Sequence, residues 1–157
     1  MKNSLHKNLR QYILLILLSF TSASVQALDV SLSKELVSIK DAWVRPTNPG
    51  QEVGAAYMTL TSKRDVSLVS VEADATKSVE IHNMTMDNGV MKMRMLDVLP
   101  LKAGKPYKLA PGGFHLMLFD LKKPLTLGEE VNFVLTFKNK NKQSFKQNIR
   151  AVVKAPN

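Results

Sequence analysis

His82-Asn83-Met84-Thr85-Met86-Asp87-Asn88-Gly89-Val90-Met91-Lys92-Met93-Arg94-Met95 reads as an antiparallel hairpin. A type I′ turn needs φ > 0 at both central residues, and Asn-Gly accepts that conformation most readily. A two-residue loop at Asn88-Gly89 pairs Asp87 with Val90. Counting outward sets Met86 opposite Met91, Met84 opposite Met93 and His82 opposite Met95. Side chains alternate between the two faces of a strand. These six residues therefore share one face of the ribbon, while Asn83, Thr85, Lys92 and Arg94 occupy the other.

The same grammar continues on both sides of the hairpin. Short β-type runs at 37–44, 55–60 and 66–73 precede the strand that opens at Val79, and the returning strand extends from Met91 to Val98. Val69, Val71 and Ala73 are expected on one face of the third run. Further runs follow at 107–109 and 114–121. Val131, Phe133, Leu135 and Phe137 alternate with Asn132, Val134 and Thr136, and Phe145, Ile149, Ala151 and Val153 share a parity in the last run. Breaks fall at turn-forming clusters such as Pro46-Thr47-Asn48-Pro49-Gly50 and Pro111-Gly112-Gly113. Seven to nine short strands with regular turn signals predict an all-β sandwich or barrel.

The chain has 157 residues, 45% hydrophobic and 22% charged, proportions that suit one globular domain. Its beginning differs from the rest. Lys2, Lys7 and Arg10 precede an apolar run at 12–20, and Val25-Gln26-Ala27 places small residues at −3 and −1 of a cut. That is the plan of a secretory signal peptide, and the run is shorter than the roughly 20 residues that span a bilayer. Residues 1–27 are therefore expected to be a cleaved leader. Residues 28–157 are expected to form a single domain that crosses no membrane. There is no cysteine, so neither a disulfide nor a thiolate ligand is available. The basic loop Lys138-Asn139-Lys140-Asn141-Lys142-Gln143 lacks interleaved aromatics and reads as a solvated hairpin tip, not a nucleic-acid surface.

Eight Met and three His occur in the chain. Met1 and His6 lie in the leader, and of the other seven Met only Met58 falls outside the hairpin and the fragment Phe114-His115-Leu116-Met117-Leu118. Methionine fills irregular cores well, so packing is the plain alternative for this face. Three features oppose it. The other strands use Val, Leu, Ile and Phe, and a histidine on a dry face would be costly without a partner. In addition, His115 and Met117 point together, away from the core side presented by Phe114, Leu116 and Leu118. Imidazoles combined with thioethers select a soft ion, Cu(I). Zinc would be expected to recruit Cys or carboxylates, and a blue-copper centre needs a Cys thiolate.

His82, ten residues, Met93, twenty-one residues, His115, one residue and Met117 is a spacing that resembles the copper-binding signature of the PCuAC family of periplasmic copper chaperones. Asp41-Ala42-Trp43-Val44-Arg45, Gly89-Val90-Met91-Lys92-Met93-Arg94 and Pro111-Gly112-Gly113-Phe114-His115-Leu116-Met117-Leu118 extend the likeness, which runs from about Ile39 to Val153. The resemblance implies a cupredoxin-like β-sandwich that binds one Cu(I) per chain through His82, Met93, His115 and Met117. It implies a periplasmic carrier serving the copper-accepting domain of cytochrome c oxidase, alongside Sco-type thiol proteins. Met84 and Met95 stand near enough in register to replace or supplement Met93. With no Cys and both remaining His committed, no nucleophilic triad can be assembled, and no enzyme activity is expected. The alternatives are a copper scavenging or resistance protein and a metal-free Met-rich interaction domain.

Overall fold

The computed structural model describes residues 36–156. The leader expected at 1–27 lies outside them. The described residues form ten strands: β1 (Val37–Val44), β2 (Gly54–Ser62), β3 (Val66–Ala73), β4 (Ser78–Asp87), β5 (Val90–Leu96), β6 (Leu99–Leu101), β7 (Pro106–Leu109), β8 (Phe114–Phe119), β9 (Glu130–Asn139) and β10 (Ser144–Val153). Hydrogen bonding orders them β5-β4-β8-β2-β1-β10-β9-β3-β6, with β7 on β2. β1 and β10 run parallel, and the other pairs are antiparallel. The architecture is the all-β, cupredoxin-like one expected. No helix among the described residues is long and apolar enough to cross a membrane.

Alternation builds the core. Val131, Phe133, Leu135 and Phe137 of β9 are buried, and Ala151 and Val153 of β10 join them. Leu60 of β2 and Leu116 and Leu118 of β8 complete it from the side that carries the hairpin. Asn88 and Gly89 both adopt positive φ, +50° and +78°, as a type I′ turn demands. The register of β4 on β5 is the one counted outward from that turn, with His82 opposite Met95, Met84 opposite Met93 and Met86 opposite Met91.

Three details depart from simple alternation. Val37 and Val44 are both buried although they stand seven positions apart, an odd offset that would put them on opposite faces of a regular strand. A register shift between Lys40 and Trp43, with Asp41 at φ +53°, reverses the parity of β1. In β3, Val69 does not share a face with Val71. Leu68 pairs with Phe137 and Ser70 with Thr136, so Val69 is the extra residue of a bulge, and Leu68 and Val71 are the ones buried. The returning strand of the hairpin does not run on to Val98, because Leu99–Leu101 forms a separate strand at the end of the sheet order. Pro100 is tolerated there since an edge strand can spare one donor.

Candidate metal centre

The site is built on β8, a strand with two different faces. Leu116 and Leu118 are fully buried in the core, and His115 and Met117 point the opposite way. β4 lies beside this second face and pairs His82 with His115 and Glu80 with Met117. β2 flanks it on the far side, where Ala55 pairs with Met117. Cross-strand partners project to the same face, so His82, Glu80, His115 and Met117 form one patch. The turn before β8 trims its edge: Gly112 takes φ +82°, the Gly113 amide donates to the Ala110 carbonyl, and the Met84 amide donates to the Gly113 carbonyl.

Met84, Met93, His115 and Met117 line one open cleft of about 270 Å³, together with Arg45 and Tyr57. Here the hairpin leans its thioethers over β8. The Arg45 guanidinium lies 5.8 Å from the Tyr57 ring centroid, and the Trp43 ring lies tilted by 31° against Tyr57 with centroids 4.4 Å apart. Burial pushes the Tyr57 phenol above its ordinary pKa, with Arg45 pulling the other way. The phenol therefore stays protonated at neutral pH in the metal-free protein.

Both imidazoles have one nitrogen assigned by a partner that can only accept. His115 Nδ1 donates to the Gly113 carbonyl at 2.9 Å, so in the neutral ring the lone pair sits on Nε2. His115 is only 6% exposed, more enclosed than its alternation alone implies. His82 Nε2 donates to a Glu80 carboxylate oxygen at 2.7 Å, which leaves the lone pair on Nδ1. That Nδ1 is buried and has no hydrogen-bond partner, a costly arrangement for an acceptor unless something else binds it. A ring nitrogen held by a carboxylate or carbonyl while the other is left bare is the usual arrangement of a metal-ligating histidine.

Of the four residues singled out from sequence, Met93, His115 and Met117 meet in the cleft. His82 does not line it. Its ring lies beside His115, with centroids 5.8 Å apart, and 6.2 Å from that of Phe119. Met84 does line the cleft, while Met95 is absent from its lining and 54% exposed. Glu80 is not among the residues singled out from the sequence. Its signal was its place two residues before His82, which on a strand means the same face. Among the described residues no group of three or more His, Asp or Glu is arranged to hold a metal ion. The side chains that line the cleft offer thioether sulfur beside imidazole nitrogen, a donor set that suits a soft monovalent ion best.

Residues 37–149 match the family model described as LpqE-like. A chain from Rickettsia prowazekii (strain Madrid E), named only as an uncharacterized protein, is 36% identical over 121 residues, which is 73% of this chain and 66% of the relative. The chain spans 61% and 66% of the lengths of the curated relatives it matches. Among solved structures, apo-DR1885 from Deinococcus radiodurans is 32% identical with a TM-score of 0.57, covering 78% of this chain and 80% of the other. The Cu(I) form of the same protein is 31% identical with a TM-score of 0.56, covering 76% and 78%. The copper-bound PCuAC domain of PmoF2 has a TM-score of 0.61 at 24% identity over 76% of this chain and 93% of that one, a likeness of fold.

Proposed function

The chain belongs to the LpqE-like, PCuAC-type family, and from that premise we propose that it is an exported copper(I) carrier. It binds one Cu(I) in the cleft and delivers the ion in the periplasm to the copper-accepting domain of cytochrome c oxidase. The observation that carries this reading is the convergence of Met84, Met93, His115 and Met117 on one cleft. His115 supplies Nε2, Met117 supplies its thioether, and Met93 closes the shell from the hairpin with Met84 as its neighbour. His82 brings Nδ1 alongside, with its other nitrogen held by Glu80. The Arg45 guanidinium on the cleft lining repels a bound cation in proportion to the cation's charge, which favours Cu(I) over divalent ions. A cleft open to solvent suits a cargo site, since an acceptor's ligands can reach the ion before it leaves.

The test is transfer. Copper-loaded protein mixed with the apo copper-accepting domain of the oxidase should give up its Cu(I). Retention of the ion at equilibrium, together with protection of cells against excess copper, would instead establish scavenging.

Glu80 is a positioning residue in this account, because it acts through His82. Glu80→Ala is expected to weaken Cu(I) binding by roughly 10- to 100-fold, the usual effect of losing an outer partner of a ligating histidine. Glu80→Gln should restore most of it, because the amide oxygen still accepts from Nε2. Imidazole ¹⁵N shifts of the copper-free protein should report His82 protonated on Nε2 in the wild type and Gln variant, and a mixture of tautomers in the Ala variant. Equal affinity in all three proteins would remove Glu80 from the site.

A further inference from the structure

The hairpin continues beyond the cleft, and its outer rungs serve neither the core nor the ligand set just described. Met86 and Met91 face each other across the ribbon. They are 65% and 58% exposed, so packing does not account for them. They share a face with Met84 and Met93, the pair that lines the cleft, and lie one rung further toward the turn. Successive same-face rungs are about 7 Å apart along a strand, within the combined reach of flexible thioether side chains. Cationic side chains are kept off this face. Lys92 and Arg94 project from the opposite face, and Lys92 is paired with Asp87.

We propose that Met86 and Met91 form a surface station for Cu(I), separate from the cleft and weaker than it, through which the ion enters and leaves. The proposal rests on reading the cleft as a Cu(I) site. Two neutral thioethers in water hold Cu(I) less firmly than a site that adds imidazole, so the station captures the ion without retaining it. Passage inward is ligand exchange. A bond from copper to the sulfur of Met84 or Met93 forms as the bond to Met86 or Met91 breaks, and no electron or proton moves. Met84 and Met93 therefore act as the shared step between station and cleft.

The variant Met86→Leu plus Met91→Leu removes both sulfurs while conserving volume and apolarity on an exposed ribbon. Cu(I) is supplied as its bicinchoninate complex, and binding is followed both at equilibrium and by stopped flow. The tight equivalent should remain with unchanged affinity, and the weaker second equivalent should disappear. The rate of uptake should fall by about tenfold or more, within the one to three decades over which association rates vary among variants of one interface. In the unmutated protein, ¹³C-methyl signals of Met86 and Met91 should shift as the second equivalent is added. Uptake at the wild-type rate with the second equivalent intact, or Met86 and Met91 signals that do not move, would overturn the proposal. Failure of the cleft reading looks different: the wild type would lack the tight equivalent, while the Leu pair would still abolish the weak one.

Discussion

Replacing His115 and Met117 together with Ala is expected to abolish stoichiometric Cu(I) binding. Both side chains stand on the outer face of β8 and line the cleft. Their loss takes one imidazole and one thioether from the proposed Cu(I) shell at once. What remains is Met84 and Met93 on the cleft, with the bare Nδ1 of His82 alongside it. The fall in affinity should well exceed the roughly 10- to 100-fold that an outer-shell change produces. The fold should survive, since Leu116 and Leu118 on the other face are untouched. Competition against a chromogenic Cu(I) chelator measures the loss, and circular dichroism of the copper-free variant checks the fold. Cu(I) should also stop raising the melting temperature, because a ligand of the native state stabilises only while it binds. Wild-type affinity in this variant would remove the cleft from the account.

Leu116→Ala should do the reverse. Leu116 lies between His115 and Met117 in sequence but is fully buried on the core face. Truncating such a leucine costs about 2–5 kcal/mol through lost burial and the cavity left behind. That is a large part of the roughly 5–15 kcal/mol that holds a domain together. Urea denaturation should show a midpoint well below that of the wild type, while the folded fraction at low urea still binds one Cu(I) tightly. Adding Cu(I) should recover part of the lost midpoint by mass action. If copper binding were lost in proportion to stability, the two faces of β8 would not be independent.

How far these features could be read in the sequence depended on whether local chemistry decided them. Asn88-Gly89 names its own turn type, and a named turn sets the register, so every rung from Asp87–Val90 to His82–Met95 followed by counting. The two faces of β8 followed from parity alone. The bulges did not. Asp41 carries positive φ without being glycine, and Val69 is displaced by the pairing of β3 with β9, a tertiary constraint that leaves no mark in the local sequence. The strand at Leu99–Leu101 was hidden because Pro100 argues against a strand unless that strand is known to be an edge. The meeting of Met93, His115 and Met117 on one cleft agrees with their spacing in the sequence. The orientation of His82 was not legible there, because the choice of its ring between Glu80 and the cleft is settled by neighbours on β8.

X-ray absorption of the protein loaded with one equivalent of Cu(I) reads the ligand set of the cleft itself. The spectrum should show a monovalent edge and a mixed shell in which sulfur from Met93 and Met117 scatters together with imidazole nitrogen. The imidazole contribution should diminish in a His115→Ala variant. A shell of nitrogen and oxygen without sulfur, or one indifferent to the loss of His115, would contradict that ligand set.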